Sequence, residues 1–296
     1  MKKTILMTNK HLRVPGGSET WTHTIAKELS KRFNVDIATV CPGRFSDSFD
    51  FANIITKIND PHKYNFAFIN HPLNFPEFKF LTCLSFIFCH GIIAQAETPV
   101  YGAKYYFGIS EEITQKFGFK YLVRNPVDCK KFRPKRKINR IPQKVYFLSK
   151  HPIALKIVQR ACKLARVSLI WNPRLEWKTE DVMNEADIVI SLGRGCYEAM
   201  ACGRNVIVFD GRPYFPSYGD GLVTPESIKN FRLYNCSGRY SKKLFTAEML
   251  ADEIKKYNPK LGAWGRKYAL KEHDIKNFIP TIQEKIHDSR FDNALS

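Results

Sequence analysis

Short apolar runs rich in β-branched and aromatic residues recur along the chain, each closed by a polar or glycine-containing turn. They predict strands over residues 3–8, 35–40, 65–70, 84–89 and 104–109, and again over 144–149, 167–171, 187–190 and 205–209. The runs are continuous rather than alternating, as expected for strands buried on both faces of a parallel sheet. Between them the period changes. Trp21, Ile25, Ala26, Leu29 and Phe33 are spaced for one helix face over 20–33. Ser110 followed by Glu111 and Glu112 reads as a capped helix start. Further helices are predicted from about 152 to 164, over 196–202 with Gly203 as the stop, over 246–257, and over 261–270 and 275–286. Strands alternating with helices give an α/β class.

The most informative stretch is Glu185 to Asp210. The strand Asp187-Ile188-Val189-Ile190 leads into a turn holding Gly193, Arg194 and Gly195, then a short helix carrying Glu198, then the strand Asn205 to Phe209. The turn lies at the carboxyl end of the first strand, where open α/β sheets bind ligands. Amides at the helix start favour an anion such as phosphate, and Glu198 can accept hydrogen bonds from a ribose. A second such place follows the first strand, where Gly16 and Gly17 precede a helix and let backbone approach a ligand closely. Asn70-His71 and His90-Gly91 also end strands. Of the two histidines, His90 is the stronger candidate for chemistry and His71 the reserve. There is no G-x-G-x-x-G, which argues against a dinucleotide oxidoreductase.

Charge changes the picture of partners rather than of fold. Among 296 residues there are 47 Lys and Arg against 28 Asp and Glu, a net charge of +19. Such a chain suits anionic lipid, nucleic acid or a polyanionic substrate. Lys130, Lys131, Arg133, Lys135, Arg136, Lys137, Arg140 and Lys144 follow one another with no acid between them, and read as a basic linker. The eight cysteines form no C-x-x-C pair and no metal-ligand spacing, so reduced, buried thiols are expected. No apolar run reaches the ~18 residues of a spanning helix. A cytoplasmic protein, or one peripheral at a membrane surface, is the expectation.

The string Glu198-Ala199-Met200-Ala201-Cys202-Gly203, followed by Asn205 to Val208, resembles the nucleotide-binding segment of retaining GT-B glycosyltransferases of the family-4 type. Val123-Arg124-Asn125-Pro126-Val127-Asp128 through Phe132 and Pro134 resembles the segment that leads out of that family's first domain. The resemblance implies a GT-B fold, two Rossmann-like domains facing across a cleft. It implies Glu198 on the ribose, Gly16 and Gly17 toward the donor phosphates, His90 on the transferred sugar, Lys150 and Lys156 as cations on the diphosphate, and Asn172 near the nucleobase. The family's second glutamate is replaced by Ile190, and Arg194 is a substitute contact to phosphate or sugar.

The domains expected are 1–134 on the acceptor side, a linker over 135–144, a nucleotide-sugar domain over 145–265, and helices over 266–296 returning to the first domain. The function implied is transfer of a hexose or pentose from a UDP- or GDP-linked donor, with retention. No metal or other cofactor is expected, since no Asp-x-Asp occurs in the chain. A glycan, a lipid-linked or a small-molecule acceptor leads. A hydroxymethylated base in DNA is the alternative acceptor, and a non-catalytic nucleotide-sugar-binding module the alternative function.

Overall fold

The computed structural model describes residues 2–71, 81–92, 99, 102–149, 151–172, 178–212 and 216–296. They form two compact units, one of residues up to 126 together with 275–296, the other of residues 127–274.

The first unit holds a parallel sheet of seven strands: β1 (Thr4–Thr8), β2 (Asn34–Ala38), β3 (Asn53–Ile55), β4 (Tyr64–Ile69), β5 (Leu84–Cys89), β6 (Tyr105–Gly108) and β7 (Tyr121–Leu122). Their order is β3-β2-β1-β4-β5-β6-β7. Helix α1 (Gly17–Leu29) follows β1 and buries Trp21, Ile25, Ala26 and Leu29, so the predicted face is the one that packs. Helix α2 (Glu111–Phe117) follows β6, with the Ser110 hydroxyl accepting from the Ile113 N–H. The core is strongly aromatic. Phe66, Phe68, Phe86, Phe88 and Phe107 line adjacent strands, and neighbouring rings meet edge-on, tilted or stacked at 5.1–6.5 Å. The chain's last segment completes it: Phe278 packs on Trp21 and Phe88, and Phe291 on Phe66 and Phe86.

The second unit carries six strands: β8 (Lys144–Phe147), β9 (Ser168–Ile170), β10 (Ile188–Ser191), β11 (Asn205–Phe209), β12 (Tyr218–Leu222) and β13 (Lys243–Leu244). The order is β9-β8-β10-β11-β12-β13; the first four are parallel, and β12 and β13 join antiparallel. Helices α3 (Pro152–Ala165), α4 (Thr179–Glu185) and α5 (Arg194–Ala201) make the crossovers. Helices α6 (Ala247–Lys255) and α7 (Lys260–Glu272) follow. Helix α7 approaches the turn after α5 backbone to backbone. A Cβ on Gly262 would sit 2.3 Å from the Gly203 carbonyl oxygen, so no larger residue fits there. Helices α8 (Phe278–Ile286) and α9 (Ser289–Leu295) belong to the first unit.

Three expectations are corrected. The boundaries fall at 126/127 and 274/275 rather than at 134, 145 and 265. The basic stretch 135–144 is not a solvated linker but part of the second unit. It wraps the fully buried Asp187, whose carboxylate accepts from the backbone N–H groups of Asn139, Gln143 and Lys144 and from the Asn139 side chain, at 2.8–3.3 Å. Arg136 adds bonds to the Asn184 and Glu185 carbonyls at 2.6 and 2.7 Å. Finally, the Gly- and Tyr-rich stretch after Asp210, where no strand is predicted, contains β12. Its strand character comes from pairing with β11, not from propensity.

Candidate active site

In a parallel sheet the crevice for a ligand opens where the strand order reverses, beyond the carboxyl ends of the strands. In the second unit that place lies between β8 and β10. The two chain segments there are Leu148 to His151, entering α3, and Leu192-Gly193, entering α5. Lys150 lies outside the described residues. Beside it, Ser149 is anchored twice. Its hydroxyl accepts from the His151 N–H at 3.2 Å, and its carbonyl accepts from the Trp171 indole N–H at 2.6 Å. The second bond draws the end of β9, and with it the half-buried Asn172, toward the end of β8.

The turn after β10 shows why glycine is needed twice. Gly193 has φ 57° and ψ −131°, a backbone that side-chain-bearing residues rarely adopt, and its N–H donates to the Cys236 carbonyl at 2.8 Å. Gly195 has no room for a side chain, since a Cβ there would lie 2.3 Å from Ser191 Oγ and 2.8 Å from Leu148 Cδ2. The start of α5 is thereby pressed against the ends of β10 and β8.

Arg194 and Glu198 face each other one turn apart on α5. Arg194 Nε donates to Glu198 Oε1 at 2.8 Å, and each residue is only 7 % exposed. Around the pair stand Lys131, 3.5 Å from the Glu180 carboxylate on α4, and Asp128, whose charge acts on Arg194. Burial pushes the Glu198 carboxyl above its ordinary range, against the opposing pull of Arg194 and Lys131. Burial likewise lowers Lys131, while Glu180 and Glu198 oppose it. The cluster therefore holds two cations and several carboxylates in a desolvated place, where charge interactions are strong. Ile190, where the resemblance in sequence would expect a glutamate, is fully buried in the apolar core on the α3 side of the sheet. Lys156 is exposed on the second turn of α3.

One residue at this edge escaped the sequence reading. Arg212, just past β11, clasps the buried Asp210 with Nε to Oδ1 at 2.9 Å and Nη2 to Oδ2 at 2.6 Å. The signal was present as an acid at a strand end followed by Gly-Arg.

In the first unit the order reverses between β1 and β4. The segment after β1 carries Gly16 and Gly17 into α1. Gly16 is crowded by its own helix, a Cβ lying 2.4 Å from Glu19 Oε2, whereas a Cβ on Gly17 would meet nothing within 4 Å. His71 follows β4 and His90 follows β5. Their rings are 6.5 Å apart, and His90 lies edge-on to Trp21 at 4.9 Å. His71 Nδ1 accepts from the Lys10 N–H at 3.1 Å. Burial, with the charges of His11 and Lys10, brings His71 down to about 4. It is a neutral, structural ring at physiological pH. His90 Nε2 meets Asn70 Oδ1 at 3.0 Å.

Sequence reading thus found residues that each unit gathers separately: Gly193, Arg194, Gly195 and Glu198 on one turn and helix, with Asn172 drawn toward the same sheet edge, and Gly16, Gly17 and His90 around the start of α1. It gave no site role to Lys131 and Arg212 in the second unit or to Asn9, Thr22 and Asn70 in the first; apart from the acid-Gly-Arg string at Arg212, polar residues of these types carry no pattern until the fold assembles them.

No protein-family model matches the chain, and no curated protein matches it. Solved structures do. Anabaena HepE, crystallised with UDP and glucose, superposes with a TM-score of 0.65 at 13 % identity over 97 % of this chain and 100 % of its own. A glycosyltransferase from Rickettsia africae ESF-5 gives 0.65 at 14 % identity over 99 % of each chain. An α-glucosyltransferase bound to UDP and a 13-mer DNA containing an HMU base gives 0.60 at 11 % identity over 97 % and 100 %. At such identities the likeness concerns architecture, and two Rossmann-like α/β units of this topology give the chain the GT-B fold of glycosyltransferases.

Proposed function

We propose that the protein is a glycosyltransferase that takes its sugar from a UDP-linked donor. The observation that carries this reading is the turn Gly193 to Glu198 at the switch point of the second sheet, within a fold whose solved neighbours hold UDP or UDP-glucose. In this reading the second unit binds the donor. Glu198 receives the ribose hydroxyls, the amides at the start of α5 and the cations Lys150 and Arg194 receive the diphosphate, Lys156 contributes longer-range charge, and Asn172 borders the base. The first unit supplies the Gly16-Gly17 approach and His90 to the sugar and acceptor. Cations and amides stabilise the departing diphosphate. Retention of anomeric configuration and independence of a bridging metal belong to the same proposal; they rest on the resemblance and on the absence of Asp-x-Asp from the sequence. The acceptor in the leading reading is a glycan, a lipid-linked or a small molecule.

The charge distribution supports a second acceptor. The second unit holds 29 Lys and Arg against 15 Asp and Glu, and one structural neighbour is bound to DNA containing a modified base. Transfer to a hydroxymethylated base in DNA is therefore the second reading.

The test is thermal stabilisation by UDP, GDP and their sugars, followed by transfer assays on polyprenyl-phosphate, oligosaccharide and hydroxymethylated DNA. UDP is expected to raise Tm. Glu198→Gln and Gly17→Leu are each expected to weaken donor binding by about tenfold or more, about 1.4 kcal/mol. Stabilisation by GDP alone would reassign the donor, and indifference to every nucleotide would sink the transferase reading.

A further inference from the structure

The first unit contains a chain of neutral hydrogen bonds that runs from the first turn of α1 to His90. Thr22 Oγ1 donates to the Ser18 carbonyl at 3.0 Å. The same oxygen accepts from the Asn9 carboxamide at 2.9 Å and from the Asn70 carboxamide at 2.6 Å. Its one proton and two lone pairs are then fully used. Asn9 is oriented independently, because its Oδ1 accepts from the His11 backbone N–H at 3.2 Å. Asn70 therefore presents its N–H₂ to Thr22 and its oxygen to His90, 3.0 Å from Nε2. Turning the Asn70 amide over would require the Thr22 proton to leave the Ser18 carbonyl for Asn70 Oδ1, so the Thr22–Ser18 bond is what selects the orientation.

We propose that Asn70, locked by Thr22, is a positioning residue that fixes His90 in the Nε2–H tautomer, with Nδ1 as the acceptor nitrogen of a neutral ring. Buried carboxamides have two orientations of similar shape, and only a third group that is itself fully committed selects one. Asn9, Thr22, Asn70 and His71 are each at most 4 % exposed, so water does not compete for the bonds of Asn9 and Asn70 to Thr22. Edge-on contact with Trp21 fixes the plane of the imidazole. The titratable neighbour is His71, 6.5 Å away, itself flanked by Lys10 and His11; being neutral, it adds no charge to His90 near pH 7. Because Ser18 lies beside Gly17, the chain ties the orientation of His90 to the glycine approach at the start of α1. In the transferase reading, on which this assignment of a role rests, the ring would meet the sugar with a defined hydrogen-bonding polarity rather than with a mixture of tautomers.

The experiment is ¹⁵N–¹H NMR of the imidazole nitrogens in the full-length protein, with pH titration, on the wild type, Asn70→Asp and Thr22→Val. The expected wild-type result is His90 as Nε2–H at pH 7.5. Asn70→Asp places a carboxylate against Nε2 and should raise the His90 pKa by about one unit or more. Thr22→Val keeps the side-chain shape but removes the hydroxyl, and should give mixed tautomers at His90 while His71, held by the Lys10 N–H, stays Nε2–H. A wild-type His90 found as Nδ1–H or as imidazolium at pH 7.5 overturns the proposal. So does a Thr22→Val spectrum in which His90 keeps a single tautomer. In turnover, Asn70→Ala should lower kcat by about tenfold with the donor KM within about twofold; an unchanged kcat removes the role in catalysis. Failure of the transferase reading is seen separately, as no transfer and no nucleotide binding by a wild type whose His90 has the assigned tautomer.

Discussion

Both units are α/β folds on a largely parallel sheet with polar groups gathered beyond the carboxyl ends of the strands, though their strand orders differ, and they hold those groups by different means. In the first, the carboxyl edge of the sheet carries a neutral network: Asn9, Thr22, Asn70, and a His71 that burial keeps uncharged. In the second, the equivalent edge carries buried ions: Arg194 on Glu198, Lys131 near Glu180, and Arg212 on Asp210. The cores differ in the same direction. Rings of Phe66, Phe68, Phe86 and Phe88 interlock in the first, whereas one face of the second sheet mixes Val, Ala, Met and four thiols, those of Cys129, Cys196, Cys202 and Cys236, with the rings of Phe132, Tyr146, Tyr197 and Phe231. Neutral hydrogen bonds are directional and cheap to bury when complete, so they suit a site that must orient a ring. Ion pairs are costly to desolvate, but the field they create in a dry site suits binding of a diphosphate.

The contrast breaks most sharply at Glu198. Glu198→Ala removes the carboxylate that pairs with the buried Arg194 guanidinium, and an expected loss of ~3–5 kcal/mol in urea unfolding follows from the usual cost of breaking a buried ion pair on one side. The double variant Arg194→Met, Glu198→Leu should recover most of that loss. A single-variant loss under ~1 kcal/mol would mean that water reaches the pair, and the two edges would then be physically alike.

A smaller effect is expected from His71. Its folded-state pKa, about 4, lies below the ordinary value of 6.5, so the unfolded chain binds a proton that the folded one refuses. Its contribution is complete above pH ~6.5 and is lost as pH falls toward 4, to a total of at most about 3 kcal/mol. His71→Gln, whose carboxamide can still accept from the Lys10 N–H, should flatten the stability profile between pH 6.5 and 4. A profile as steep as that of the wild type would place the titration elsewhere.

The smallest effect is expected at Lys156. Exposed on α3, Lys156→Ala should change stability by less than ~0.5 kcal/mol. In isothermal titration it should weaken UDP-sugar binding without abolishing it. Loss of all binding would give this surface lysine a role equal to that of the buried cations.

Much of the fold is legible in the sequence wherever a local rule governs. The runs at Ile188 to Ser191 and Asn205 to Phe209 are strands because continuous apolar, β-branched segments belong inside parallel sheets. The pattern Trp21, Ile25, Ala26, Leu29 gives a helix and its buried face. Residues 218–222 are not legible, because Tyr-Gly-Asp-Gly-Leu has little strand propensity and is held by its pairing with β11 on one side and β13 on the other. The stretch 135–144 misleads for a related reason. Its many lysines and arginines suggest solvent, while the force that folds it is Asp187, some 45 positions away in sequence and fully buried. In the site, Glu198 and the glycines at 193 and 195 are readable because a turn between strand and helix restricts what can stand there. The partners Lys131, Thr22 and Asn70 are not, since each reaches its place from another element.

The sequence by itself determined the α/β class, the alternation that builds two Rossmann-like units, and the strand ends at which Gly17, His90, Gly193 and Glu198 stand. These follow from period, capping and turn chemistry, which act within a few residues. Only the tertiary structure decided that Arg194 pairs through Nε with Glu198, that the basic stretch encloses Asp187, and that Thr22 orients Asn70 toward His90. Those outcomes depend on which polar groups lose water together, and desolvation is a property of the packed chain.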